Sequence, residues 1–198
     1  MQSWVKDRAA PQQVDVLLFD DFSGHCLANT VEPMRAANTL AGRQIYDWRF
    51  LTLEGGTAVS SAGMEVNAHG RLAEYGGDML IAMPSYHYRP LATDKALRGL
   101  RAAARRYAVM AGFDAGAWLL ASAGLLDGAS ATIVWEECKG FPAAVPLVDA
   151  QRLRYVRDGD RVVCSVALAA VAVMLDLIAD RHGQALRLEL AALFMSPE

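Results

Sequence analysis

The stretch GFDAG at 112–116 sets one carboxylate, Asp114, between two glycines. A short apolar run, YAVMA at 107–111, precedes it, and a helical pattern, GAWLLASAGLLDG, begins at Gly116. This is the wording of a sharp strand-to-helix turn that displays a single side chain, and the following helix N-terminus aims its N–H groups at whatever sits there. A carboxylate so placed has three uses open to it. It can cap the helix, anchor a cationic ligand, or attack as a nucleophile through an ester intermediate. The last needs a base, and His25 and His87, both in loops, are the candidates.

Aromatic residues fall in or beside neighbouring loops: Tyr86, Tyr88, Trp118 and Trp135. Together with Asp114 they could hold a quaternary ammonium group by charge and cation–π attraction, at about 1–2 kcal/mol per well-placed ring. Phe113 and Ala115 flank the acid and belong to the same candidate ligand site, as do His25, Cys26 and Glu32. For Glu32 the competing reading is electrostatic, as an acid in the first turn of a helix. For Cys26 it is a small buried residue.

These residues must be positioned by a scaffold, and the rest of the chain describes one. VDVLLF at 14–19 and DMLIAM at 78–83 are continuous apolar runs closed by loop residues, as expected of parallel strands buried on both faces. DWRFLTLE at 47–54 alternates like a strand, and GMEV at 63–66 and ATIV at 131–134 suggest short ones. Asp158 and Gly159 mark a hairpin turn. Helical spacing runs from Leu27 to Leu40, where Pro33 must sit in a first turn or at a kink. It recurs in the segment carrying Arg98, Arg101, Arg105 and Arg106 as a solvated face, at the apolar 165–182, and in QALRLELAALFM near the end. Alternating strands and helices predict a three-layer α/β fold with a mainly parallel sheet flanked by helices. A polar lead-in covers 1–13, and one domain covers 14–198.

Composition narrows the function classes. With 198 residues, 54% of them hydrophobic, and a formal net charge of −3, the chain has ample core and no basic block for nucleic acid. Its three cysteines have neither disulfide-framework nor zinc spacing, so no metal or cofactor is expected, and a reducing cytoplasm fits best. The run SVALAAVAVMLDLIA is interrupted by Asp176 and too short to span a bilayer.

Four stretches, VEPMRAANTLAGRQIYDWRF, AGFDAGAWLLASAGLLDG, ATIVWEE and YVRDGDRVVCS, resemble in wording and order the ThiJ/PfpI-like family, also called class I glutamine amidotransferase-like. Within it they resemble the branch used as sensor domain of AraC-type transcriptional regulators, and most closely those responding to choline-derived and carnitine-type compounds. The resemblance implies a flavodoxin-like fold, a small-molecule effector near the elbow, a homodimer, and DNA contact only through a C-terminal helix-turn-helix that these 198 residues do not contain. Catalytic members would carry a cysteine at the elbow, a histidine before the Trp of the next motif and an acid near the first helix. Here those positions hold Asp114, Val134 and Cys26, so the resemblance implies sensing without catalysis. A hydrolase or lyase using Asp114 is the alternative.

Overall fold

The computed structural model describes residues 10–133 and 145–194. Expectations that fall on Val134, Trp135, Cys138, residues 1–9 of the lead-in and the last four residues lie outside them. The elements run β1 (Gln12–Leu18), α1 (Gly24–Leu40), β2 (Tyr46–Thr52), β3 (Thr57–Val59), β4 (Glu65–Asn67), β5 (Gly70–Arg71), β6 (Gly77–Met83), α2 (Asp94–Ala103) and β7 (Tyr107–Phe113). They continue with α3 (Gly116–Ser122), β8 (Ser130–Ala131), β9 (Asp149–Ala150), β10 (Tyr155–Asp158), β11 (Arg161–Cys164), α4 (Ala167–His182) and α5 (Gln184–Phe194).

Seven strands form the central sheet in the order β10-β11-β7-β6-β1-β2-β5, parallel except for β10. The fold is the flavodoxin-like three-layer α/β arrangement. Val14, Val16 and Leu18 of β1 face one core with residues of α1, α4 and α5, while Leu17 faces the other with residues of α2 and α3. Because both faces are covered, β1, β6 and β7 are buried nearly throughout, which is why their sequences read as apolar runs instead of alternating.

Several local expectations shift. β1 starts at Gln12, before the apolar run, because Gln12 is buried and its N–H bonds the Ile45 carbonyl at 2.8 Å. GMEV belongs to a separate β3–β4 hairpin, and of the described residues of ATIV only Ala131 lies in a strand, β8, which pairs with β9 outside the main sheet. The β10–β11 register pairs Asp158 with Arg161, so the turn is Gly159–Asp160, one residue later than the Asp-Gly signal implies. Pro33 lies inside α1, where it removes the N–H that would bond the Asn29 carbonyl. Arg98, Arg101, Arg105 and Arg106 are exposed as expected, but Arg106 also donates to the Leu72 and Tyr75 carbonyls and pins the loop before β6.

Register decides where the loops meet. Leu18 pairs with Met83, Ala82 with Gly112, and Cys164 with Phe113. The C-terminal ends of β1, β6, β7 and β11 are therefore level, and the residues just after them share one edge of the sheet, where open α/β sheets bind ligands.

Candidate functional site

Between β7 and α3 only Asp114 and Ala115 make the turn, and Asp114 has φ of 57°. Left-handed backbone costs roughly 1–2 kcal/mol for a residue with a Cβ, and Asp is among the few side chains that tolerate it. The glycines are required by close approach. A Cβ on Gly112 would stand 2.6 Å from the Gly116 carbonyl carbon, and one on Gly116 would stand 2.3 Å from the Ala82 carbonyl oxygen. The tight turn thus packs the start of α3 onto the backbones of both β6 and β7. Phe113 and Ala115 point into the interior and are buried, so they hold the turn and present no side chain to a ligand.

Asp114 is partly buried and opens into a cleft of about 660 Å³ at the C-terminal edge of the sheet. The Ser85 hydroxyl, itself buried in the loop after β6, donates to Asp114 Oδ2 at 2.9 Å. His25 and Tyr86 line the same cleft, both exposed. Its far wall is the turn between β3 and β4, residues 60–64, and its third side is Ser165 to Ala167 at the start of α4. Asp114 is the one carboxylate among the described lining residues, and no Lys or Arg is among them.

Cys26 and Cys164 lie beneath this cleft with no exposed surface. Burial, then the Asp114 charge, pushes the Cys26 thiol well above its ordinary value, and burial pushes Cys164 up to about 12. Neither is a nucleophile near neutral pH. With Cys138 changed to serine, DTNB is expected to label the folded protein at pH 8 at least about 100-fold more slowly than the urea-unfolded chain; comparable rates would contradict buried thiols. The sign of the pH dependence follows. Below about pH 8.5 the thiols are protonated in both states and their contribution is fully present. Above it only the unfolded chain ionises, so stability falls by about 1.4 kcal/mol per pH unit per thiol until the folded values are reached. Urea unfolding from pH 8 to 10 should show this slope, and Cys26→Ala should reduce it.

The structure does not gather every candidate residue. His87 has its Nδ1 3.1 Å from Asp21 Oδ2, which places this histidine with a different acid. Glu32 lies well inside α1, not in its first turn, and pairs with Arg35 at 2.7 Å along the helix. Trp118 borders a second depression with Pro146 and Leu147, and its ring carries the Arg89 guanidinium at 4.7 Å and the Tyr88 ring at 5.8 Å. An aromatic cage on Asp114 therefore has Tyr86 as its described member, and Trp135 lies outside the described residues. Sequence reasoning missed Ser85, Asp21 and the 60–64 turn. Ser85 had a usable signal, standing directly after Pro84 where a buried strand stops. The hairpin did not, since its place over the cleft comes from tertiary pairing of Phe22 with Ser60.

No protein-family model matches the chain. The HTH-type transcriptional regulator CdhR of Pseudomonas aeruginosa is 33% identical over 180 residues, covering 90% of this chain and 53% of its own length. The crystal structure of an AraC family transcriptional regulator from Pseudomonas putida superposes with a TM-score of 0.85 at 24% identity, over 93% of this chain and all of that one. This chain is homologous to HTH-type transcriptional regulators. A THiJ/PfpI family protein from Pseudomonas syringae shares the fold at a TM-score of 0.81 and 17% identity, over 100% of this chain and 83% of that one. In this chain the β7–α3 turn of the shared fold displays Asp114. The chain spans about half the length of the curated regulators it matches. Among the described residues no helix is long and apolar enough to cross a membrane, and no cluster of three or more His, Cys, Asp or Glu could hold a metal ion.

Proposed function

We propose that this chain is the non-catalytic, effector-sensing part of an AraC-type regulator, and that its effector is a small polar metabolite bound in the Asp114 cleft. One observation carries the reading: the elbow of a ThiJ/PfpI-like fold displays a carboxylate held by a serine, with the nearby thiols buried and protonated. A carboxylate in this setting is a counter-charge. With Asp114 on the wall and Tyr86 and Met64 at the rim, the cleft suits a cationic group with an apolar body, and quaternary ammonium compounds are the first class to test. In the same reading the protein works in the cytoplasm as a homodimer and reaches DNA through a helix-turn-helix outside these residues.

Calorimetry with choline, glycine betaine and carnitine tests the ligand class. Binding by any of them should raise stability by roughly 2.7 kcal/mol at a hundred times the dissociation constant. Asp114→Ala should weaken it at least about tenfold, or 1.4 kcal/mol. If all three fail at millimolar concentration, the quaternary ammonium class is wrong. Binding that is indifferent to Asp114→Ala would move the site elsewhere. Light scattering after gel filtration reads the dimer.

A further inference from the structure

Among the described residues three that are not glycine have positive φ: Asp21 at 62°, His87 at 52° and Asp114 at 57°. Asp114 lines the cleft and Asp21 and His87 lie in the two loops that border it, and two hydrogen bonds with the 85–87 backbone between them join the three. The elbow is tied to the loop after β6 twice, by Ser85 Oγ donating to Asp114 Oδ2 at 2.9 Å and by the Ala115 N–H donating to the Pro84 carbonyl at 3.2 Å. Two residues on, His87 meets Asp21 of the loop after β1. That loop in turn grips the β3–β4 hairpin: Asp20 Oδ1 accepts from the Val59 N–H at 3.0 Å, the Asp21 N–H donates to the Val59 carbonyl at 2.8 Å, and the Ser61 N–H donates to the Phe22 carbonyl at 3.0 Å. The hairpin's own turn is closed by Ser60 Oγ, which accepts from the Met64 N–H at 2.9 Å, and this turn is the cleft's far wall.

We propose that Ser85 is a positioning residue of this site: it holds the Asp114 carboxylate toward the cleft and, through His87 and Asp21, couples it to the β3–β4 hairpin on the opposite wall. The physical case is that backbone strain persists only where surrounding bonds over-determine it, and here each strained residue is a joint of one polar chain. Ser85 is its buried link, with 7% of its surface exposed, and the bond it makes is to a charged acceptor, the stronger kind. The His87–Asp21 link is exposed and correspondingly weak, so it is the joint that a change at Asp114 would open first. The coupling rests on Asp114 being the effector's contact only for its purpose. Its existence can be tested without any effector.

The test is amide hydrogen exchange by mass spectrometry on the ligand-free protein. Ser85→Ala should accelerate exchange about tenfold at 113–117, the size expected for losing one hydrogen bond to a charged group, and by a smaller factor of about two to five at 57–67, the most that the exposed His87–Asp21 link can pass on, and leave the β10–β11 hairpin unchanged. Ser85→Thr, which keeps a hydroxyl, should restore both segments. His87→Ala, at the surface and safe for folding, should accelerate 57–67 alone. The double variant Ser85→Ala with Asp114→Ala should exchange no faster than either single one, since both cut the same bond. Acceleration confined to 84–88, additive effects in the double variant, or a rise spread evenly into β10–β11 would each overturn the coupling. Failure of choline, betaine and carnitine to bind would overturn the effector assignment and leave this result standing.

Discussion

Asp15→Ala is expected to destabilise the protein by about 3–5 kcal/mol, more than any surface substitution could. Asp15 sits in the middle of β1 with no exposed surface. Arg49 on β2 grips it with two bonds of 2.8 Å, Nε to Oδ1 and Nη2 to Oδ2, while the Tyr107 hydroxyl donates to Oδ2 and Gln13 Nε2 to Oδ1. Burial, and then this bond to Asp15, pushes the Tyr107 hydroxyl far above its ordinary value, so it stays a donor. Alanine would leave a buried tyrosine hydroxyl without its acceptor and a partly buried guanidinium with only the Gly76 carbonyl, and that loss is what sets the cost. In urea the midpoint should fall with the slope unchanged, and thermal unfolding should come roughly 10 °C earlier. Replacing the trio together, with Asp15→Leu, Arg49→Met and Tyr107→Phe, should recover most of the loss, because an apolar cluster of similar volume does not pay the desolvation of a charge pair. A cost below about 1 kcal/mol for Asp15→Ala would show that the network contributes little.

Gly116→Ala is the second large effect, and its cause is steric. The added methyl would meet the Ala82 carbonyl oxygen at 2.3 Å, and both atoms belong to backbone in the interior of the fold. Neither can swing aside as a side-chain end would. We expect a loss of at least about 3 kcal/mol, at the upper end of overpacking, with α3 displaced from β6 and the Asp114–Ser85 bond broken. Gly128→Ala is the control, because that glycine has φ of 75° but nothing within 4 Å of its Cβ position, so only the backbone strain of roughly 1–2 kcal/mol applies. The near-ultraviolet circular dichroism of Trp118, which rides on α3, should change in the first variant and not in the second. A soluble Gly116→Ala protein with unfolding temperature within about 3 °C of the parent would mean that the elbow relaxes without cost.

Both predictions turn on features that short windows of sequence treat differently. Gly116 was conspicuous, because two glycines around one acid after an apolar run already describe a sharp strand-to-helix turn. Asp15 was silent. It lies inside VDVLLF, a segment whose overall apolarity identifies a buried strand and hides the one charge in it. Arg49 and Tyr107, the partners that bury it, stand 34 and 92 residues away. The arginines of α2 were legible as a solvated face because helical spacing is a property of neighbours along the chain. Trp118 was not, since whether an aromatic beside the elbow turns toward the cleft or away from it depends on what packs against α3, and here Arg89 and Tyr88 take its ring.

The sequence by itself determined the layered α/β class, the buried parallel strands and the sharp turn that displays Asp114. These are encoded in side-chain periodicity and in glycine's freedom, which act over a few residues. Tertiary structure alone decided that Asp114 is held by Ser85, that His87 serves Asp21, and that a hairpin from 57–67 walls the cleft. The reason is that such contacts depend on strand order and register, which bring the ends of β1, β6, β7 and β11 to one edge although up to 146 residues separate them, from Leu18 to Cys164.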